Sequence, residues 1–378
     1  MIYYGKQNIN QNDIDAVIDV LKSDFLTQGP KVPEFENDLK NYCSAKYAKA
    51  VSSATAALHL AYLAIGLKRG DIVWTSPNTF VSTANAALFC GAKVQFIDID
   101  AKTYNMSTDS LEEKLIQAEK DNRLPKLVVP VHFSGQSCEM KDIWRLSKQY
   151  GFKVIEDASH ALGGEYLGNK VGSCEYSHMA IFSFHPVKMI TTGEGGAITT
   201  NDKDLDHKLS LLRTHGITKD NNQFQNDSHG KWYYEQQVLG YNYRLTDIQA
   251  ALGISQLKRL DSFVLKRRKI ASYYLNNLKK VVTPFQHSDT NSSWHLFVIQ
   301  TKNRKKVFSE LMRQGIQTQV HYIPVNSQPY YNQKMLKNCD HFYQTCLSLP
   351  IYVDLKNDQY KKVVHSLGKI DRIKDGII

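Results

Sequence analysis

The chain has 378 residues, of which 42% are hydrophobic and 22% charged, with 21 glycines and 10 prolines. That length exceeds the roughly 250 to 300 residues at which one hydrophobic core stops growing, so two domains are expected, and the balanced composition excludes a disordered or fibrous chain. Lys and Arg total 47 against 37 Asp and Glu, a formal net charge of +10 that suggests anionic partners without choosing among them.

The N-terminal stretch MIYYGKQNINQND lacks the apolar core of a signal peptide, which points to the cytoplasm. Residues 13 to about 42 read as two helices joined by the turn Thr27-Gln28-Gly29-Pro30. From Tyr47 to about Asn201, β-branched runs alternate with amphipathic stretches, the pattern of a doubly wound α/β domain. The candidate strands are AKAVSS, DIVWTS, KVQFIDI, KLVVPVHF, FKVIED, HMAIFSF and GAITTN. Right-handed crossovers would join them into one mostly parallel sheet with helices on both faces and a ligand at the carboxyl ends of the strands. The most apolar stretch, Ala54 to Leu67, contains His59 and falls short of the roughly 18 to 20 residues needed to span a bilayer, so no membrane association is expected.

Residues 218 to 237 are polar and read as a long loop. A helical pattern then runs from Thr246 toward Lys280. After Pro284 come the strand HLFVIQT, the helix RKKVFSELMRQ, the strand IQTQVHYI and two final helices. The expected division is therefore 1–245, an N-terminal arm with the large α/β domain, and 246–378, a linking helix with a smaller α+β domain. The basic runs Lys258-Arg259, Lys266 to Lys269 and Arg304 to Lys306 come without a nucleic-acid module and read as solvated helix faces, so no nucleic acid is expected. Six scattered cysteines without a C-x-x-C pair read as free thiols, neither a disulfide framework nor a metal site.

Three segments carry chemistry. In HMAIFSFHPVKMITTGEGGAITTN an apolar strand delivers Lys188 from apolar surroundings; desolvation lowers a lysine pKa and leaves a nucleophilic amine, although most lysines after strands are simply solvated. In FKVIEDASHALGG a strand ends in Glu156-Asp157, where an acid can meet a ligand, or equally cap a helix. In AVSSATAALHLA small residues open a helix whose free N–H groups, with Thr55, could hold a phosphate or belong to an ordinary capped helix.

The order of these features, the 31-residue spacing from Asp157 to Lys188 and the later block GYNYRLTDIQAALG resemble the nucleotide-sugar aminotransferases of the DegT type, fold-type I enzymes that use pyridoxal 5'-phosphate. The resemblance runs from FLTQGPKVPEFE to LSLPIYVDL. WTSPNTFVSTAN, PVHFSGQSCEM, FSFHPVK, RTHGIT and VHYIPV are most similar to the members that act in pseudaminic acid biosynthesis. It implies that Lys188 forms the Schiff base, Asp157 pairs with the pyridine nitrogen and His160 lies beside the ring oxygen. Phe80 would stack on the ring, and Ala54, Thr55 and Ser183 would hold the phosphate. Asn242 would reach that phosphate from the other subunit of a homodimer with shared active sites. Tyr4, the turn Asp24-Phe25-Leu26-Thr27, Tyr243 and His321-Tyr322-Ile323-Pro324 would line a sugar-nucleotide pocket. The implied reaction moves an amino group from L-glutamate to the C4 ketone of a UDP-4-keto-6-deoxy-N-acetylhexosamine, giving the L-altro UDP-4-amino-4,6-dideoxy sugar. After Ile323-Pro324-Val325 the family pattern calls for His, whereas this chain has Asn326-Ser327. Sugar dehydratases of the same fold carry His where this chain has Lys188, and a non-catalytic protein would have no need of Lys188, Asp157 and Asn242 together.

Overall fold

The computed structural model describes residues 1–370. The seven expected strands form one sheet: β1 (Tyr47–Val51), β2 (Ile72–Thr75), β3 (Lys93–Phe96), β4 (Leu127–Val129), β5 (Lys153–Asp157), β6 (Met179–Ser183) and β7 (Gly196–Thr200). Their order is β1-β7-β6-β5-β4-β2-β3. Neighbours from β6 to β3 run parallel, while β7 is antiparallel to both β1 and β6. Parallel strands covered on both faces need near-continuous apolar runs, and the buried Val73, Leu127, Val129, Ile155, Met179 and Ile181 supply them.

Helices cover the sheet. The alanine-rich α3 (Ala54–Ala64) buries almost its whole circumference and packs against α4 (Ser82–Phe89) and α7 (Lys203–Arg213), over β6 and β7. On other parts of the sheet lie α5 (Thr108–Lys120) and α6 (Met140–Tyr150), whose Leu111, Leu115, Ile143 and Leu146 share a core with Val128 and Val154. Near the N-terminus, α1 (Gln11–Leu21) and α2 (Lys31–Cys43) flank the expected turn. That turn is held by Asp247, whose carboxylate accepts the N–H groups of Gly29 at 2.8 Å and Lys31 at 2.7 Å.

The helical pattern after Thr246 resolves into two helices, α8 (Asp247–Leu257) and α9 (Leu260–Asn277). Arg259 stands at the break, with its guanidinium drawn onto the buried Asp13 carboxylate and onto Asn8 Oδ1 at 2.6 Å. As a result α8 packs on α1 and α2, beside the large sheet. The C-terminal layer pairs β8 (Phe297–Gln300) antiparallel with β9 (Cys346–Leu349). Around them α9, α10 (Arg304–Arg313) and α12 (Asn357–Ile370) close a separate core of Tyr274, Phe297, Ile299, Leu311, Leu347 and Val363, with α11 (Lys337–Thr345) leading into β9.

The strand expected over IQTQVHYI does not form. That segment makes only single bridges, Ile2 to Ile316 and Gln319 to Ser348, because its far end is occupied otherwise: His321 bonds the Ser348 hydroxyl at 2.8 Å and Tyr322 faces a cleft. Residues 218 to 237 form a folded excursion, with Ile217–Thr218 paired to Glu235–Gln236. Its centre is Glu235, which accepts the backbone N–H groups of Gln225 and Asn226 at 2.7 and 2.8 Å and the Tyr233 hydroxyl at 3.0 Å. The last eight residues of the expected second domain lie outside the described residues. No helix among the described residues is long and apolar enough to cross a membrane.

Candidate active site

The carboxyl ends of β1, β5 and β6 converge on a cleft of about 670 Å³. One wall is an anion cradle. Ser53 caps α3, its hydroxyl accepting the Ala56 N–H at 3.1 Å and its carbonyl the Ala57 N–H at 3.0 Å. The N–H groups of Ala54 and Thr55 and the hydroxyls of Thr55 and Ser183 have no hydrogen-bond partner among the described residues, and all three residues border the cleft. Free amides at a helix start, with the dipole behind them, suit a phosphate-sized anion. Gly196 permits the arrangement: a Cβ there would stand 2.5 Å from the Ser53 carbonyl carbon and 2.6 Å from the Ala54 nitrogen.

A second wall suits a flat ring. Phe80 is 58% exposed although it lines the cleft, an unusual state for a phenyl ring in an enclosed wall. Asp157 is 4% exposed and ends β5. One of its oxygens accepts the Ser159 hydroxyl at 2.6 Å and the Ser159 N–H at 3.2 Å; the other accepts the Thr83 hydroxyl at 2.7 Å. No Lys, Arg or His forms an ion pair with it among the described residues. A buried carboxylate without a cation is costly unless a ligand supplies one, and a protonated ring nitrogen would do so.

Lys188 follows β6 in a turn closed by its N–H to the His185 carbonyl at 2.9 Å. Burial pushes its amine down to about 8, with the negative Asp157 pulling the other way. His160 is buried and accepts the Ser134 backbone N–H on Nδ1 at 3.3 Å. A backbone amide can only donate, so the imidazole proton sits on Nε2 and is donated to the Tyr322 hydroxyl at 3.0 Å. Burial first, then the nearby Lys188 and His321, hold His160 well below its ordinary range, and burial with Lys188 takes His321 to about 3. Both imidazoles are neutral at pH 7. Lys188 thus titrates much closer to neutrality than an ordinary lysine.

Of the residues singled out in the sequence, Tyr4, Ala54, Thr55, Phe80, Asp157, His160, Ser183, Lys188, His321, Tyr322 and Ile323 line this one cleft. Other expected residues do not line it within one chain. The turn Asp24-Phe25-Leu26-Thr27 is exposed and tied to the start of α8 through the Leu26 carbonyl and Asp247 N–H, 3.0 Å apart. Asn242 is exposed and bridged to Thr214. Tyr243 stacks on Tyr241 and bonds His59 at 3.3 Å, and Pro324 is buried beside the cleft rather than in its wall. Asn326, at the departure from the family pattern, is 1% exposed and donates to the Lys334 carbonyl at 2.8 Å, so it closes a local turn instead of facing the cleft. Sequence reasoning missed Ser53, Thr79, Ser159, His185 and Glu194, which also line the cleft. Ser159 was findable, since EDASH places a hydroxyl two residues after the acid. Thr79 and Thr83 carried no such signal.

The model of the DegT/DnrJ/EryC1/StrS aminotransferase family matches residues 7–368. A UDP-4-amino-4,6-dideoxy-N-acetyl-beta-L-altrosamine transaminase of Campylobacter jejuni is 43% identical, over 100% of this chain and 99% of its own. Among solved structures, Helicobacter pylori PseC, an aminotransferase involved in the biosynthesis of pseudoaminic acid, superposes with a TM-score of 0.90 at 32% identity, covering 98% of both chains. The Streptococcus pneumoniae protein Spr1654 in its PLP form superposes with a TM-score of 0.87 at 25% identity, again over 98% of both. With the fold, the family model and these relatives in agreement across nearly its whole length, the chain belongs to the DegT/DnrJ/EryC1/StrS aminotransferase family.

Proposed function

We propose that the protein binds pyridoxal 5'-phosphate and transfers an amino group from L-glutamate to the C4 ketone of a UDP-4-keto-6-deoxy-N-acetylhexosamine, yielding UDP-4-amino-4,6-dideoxy-N-acetyl-beta-L-altrosamine. The observation that carries the reading is a lysine tuned to about 8 in a cleft that also holds free helix amides and a buried carboxylate without a cation. The sugar is drawn from the Campylobacter relative, which is similar over its full length.

When bound, the pyridine ring supplies an electron sink for charge developing on the amino-bearing carbon. The residues around it do the rest. The amides of Ala54 and Thr55, with the hydroxyls of Thr55 and Ser183, would hold the phosphate; Phe80 would cover the ring face; Asp157 would keep the ring nitrogen protonated; and the His160 Nε2–H, given to the Tyr322 hydroxyl in this structure, would turn to the ring oxygen. Lys188 would be the residue that tethers the cofactor, and its free amine would be the base that takes a proton from the α-carbon of the donor in one half-reaction and the acid that delivers one to C4 of the sugar in the other. Tyr4, His321, Tyr322 and Ile323 form the wall on the substrate side.

The active form is a homodimer in which Asn242 and Tyr243, and the Asp24 to Thr27 turn, serve the neighbouring subunit. Their exposure or distance from the cleft in their own chain supports this, as do Phe25, Leu26, Trp232 and Leu239, apolar and 47 to 79% exposed. The division into 1–245 and 246–378 draws support from the separate core around β8 and β9.

The deciding experiment is product analysis by NMR after incubation with UDP-4-keto sugars of the D and L series, pyridoxal phosphate and 15N-labelled glutamate. The L-series ketone should give a 15N-amino product at C4. Absence of labelled amino sugar from every ketone, with cofactor bound, would refute the assignment.

A further inference from the structure

The contacts behind Asp157 form a directed chain. Thr83, fully buried in the first turn of α4, has one hydroxyl proton and three oxygens within reach: Asp157 Oδ2 at 2.7 Å, Thr79 Oγ1 at 2.8 Å and the Phe80 carbonyl at 3.3 Å. A carboxylate cannot donate, so the short contact to Asp157 uses the Thr83 proton. The bond between the two threonines must then run from the Thr79 hydroxyl to Thr83 Oγ1. Protons therefore point along Thr79, Thr83 and Asp157 in sequence. The chain is anchored from outside by Tyr62, also fully buried, whose hydroxyl donates to the Thr83 carbonyl at 3.0 Å. On the other side of the carboxylate, Ser159 supplies its hydroxyl and N–H.

We infer that Thr83, backed by Thr79, is a positioning residue for Asp157: the relay fixes the rotation of the carboxylate and keeps Oδ2 an acceptor, so that it meets the protonated nitrogen of a bound pyridine ring. The inference rests on the role of Asp157 proposed above. Its physical basis is that a donated hydrogen bond favours the ionised form of a carboxylate, and that polarised chains strengthen each member. Without the Thr83 hydroxyl, Oδ2 keeps no protein donor and the Thr79 hydroxyl loses its acceptor.

The test compares affinities of the cofactor-free, full-length protein for pyridoxal phosphate and for its 1-deaza analogue, in which a C–H replaces the ring nitrogen. The ratio of the two dissociation constants isolates the contact with Asp157, because phosphate and ring-face contacts are common to both. The wild type should prefer pyridoxal phosphate, and Asp157→Asn should abolish the preference. Thr83→Val, equal in shape, should lose about tenfold of that preference, as expected for a hydrogen bond to a charged group, while binding the deaza analogue as the wild type does. Thr83→Ser should restore it, and Thr79→Val should show a smaller loss in the same ratio, which serves if Thr83→Val fails to fold. A wild type without preference, or Asp157→Asn without effect, overturns the role of Asp157 itself. An intact ratio in Thr83→Val and Thr79→Val, or equal losses for both ligands, overturns the relay while leaving Asp157 in place.

Discussion

Replacing Lys188 by Met should make the cofactor-free protein more stable at neutral pH while abolishing transamination. Burial takes the Lys188 amine from the ordinary 10.5 to about 8. At pH 7 the folded chain must therefore hold an ammonium in a poor site that the unfolded chain keeps in water. At about 1.4 kcal/mol per pH unit, the difference amounts to about 3 kcal/mol, an upper figure because the cleft is open to water on one side. The sign follows from the direction of the shift: the penalty is full below about 8, shrinks as pH rises toward 10.5 and is absent above it. Met carries no charge and has a similar length, so the variant escapes the penalty. Urea denaturation of cofactor-free wild type and variant at pH 7 and at pH 10 measures it. The variant should be more stable by about 1 to 3 kcal/mol at pH 7 and by much less at pH 10. A variant no more stable at pH 7, or equally favoured at both pH values, would mean that Lys188 is not held as a disfavoured cation.

Asp157→Asn should lower kcat far more than it changes KM, since only the charge that supports the electron sink is removed; near-normal kcat with bound cofactor would refute its role. Gly196→Ala should weaken cofactor binding strongly, because its methyl would press on the Ser53 and Ala54 backbone at about 2.5 Å, and unchanged affinity measured by dialysis would place the phosphate elsewhere. The rate at which the cofactor-free protein captures pyridoxal phosphate should rise with pH through about 8 as Lys188 loses its proton, and a pH-independent rate between 6 and 9 would contradict that value. Co-refolding inactive Lys188→Ala with Asn242→Ala, once the latter is shown to be severely impaired, should restore one working site per mixed dimer. No recovery despite confirmed subunit exchange would confine Asn242 to its own subunit.

The central sheet was legible because its interior strands are compact apolar runs whose burial on both faces leaves little polar alternation, while the edge strands Tyr47–Val51 and Lys93–Phe96 show the alternation of a partly covered strand. Lys188, Asp157 and the helix start at Ala54-Thr55 were legible as residues ending strands or opening a helix, where local sequence and position coincide, whereas the Ser53 cap was not singled out. Two kinds of information were not. IQTQVHYI has the pattern of a strand, yet its His321-Tyr322 end answers to a cleft formed by distant residues. Likewise the break at Arg259 depends on Asp13, 246 residues away, and Thr83 touches Asp157 across 74 residues. No window of local sequence holds such pairs.

The reversal of β7 has a consequence for how the chain can vary. Because β6 and β7 are hydrogen-bonded neighbours, the segment that presents Lys188 is a span pinned at both ends, with the Phe184 N–H on the Gly195 carbonyl at 2.9 Å and the Thr192 N–H on the Phe184 carbonyl at 3.0 Å. A connection that crosses over a sheet can absorb an extra residue along its helix. This one cannot, since added length must either bulge into the cleft or shift β7 by one place, exchanging the residues on its two buried faces and moving Gly196 off the start of α3. Insertions and deletions should therefore be rejected between Phe184 and Gly195, so that the spacing from Lys188 to Gly196 is as constrained as the identity of the lysine itself.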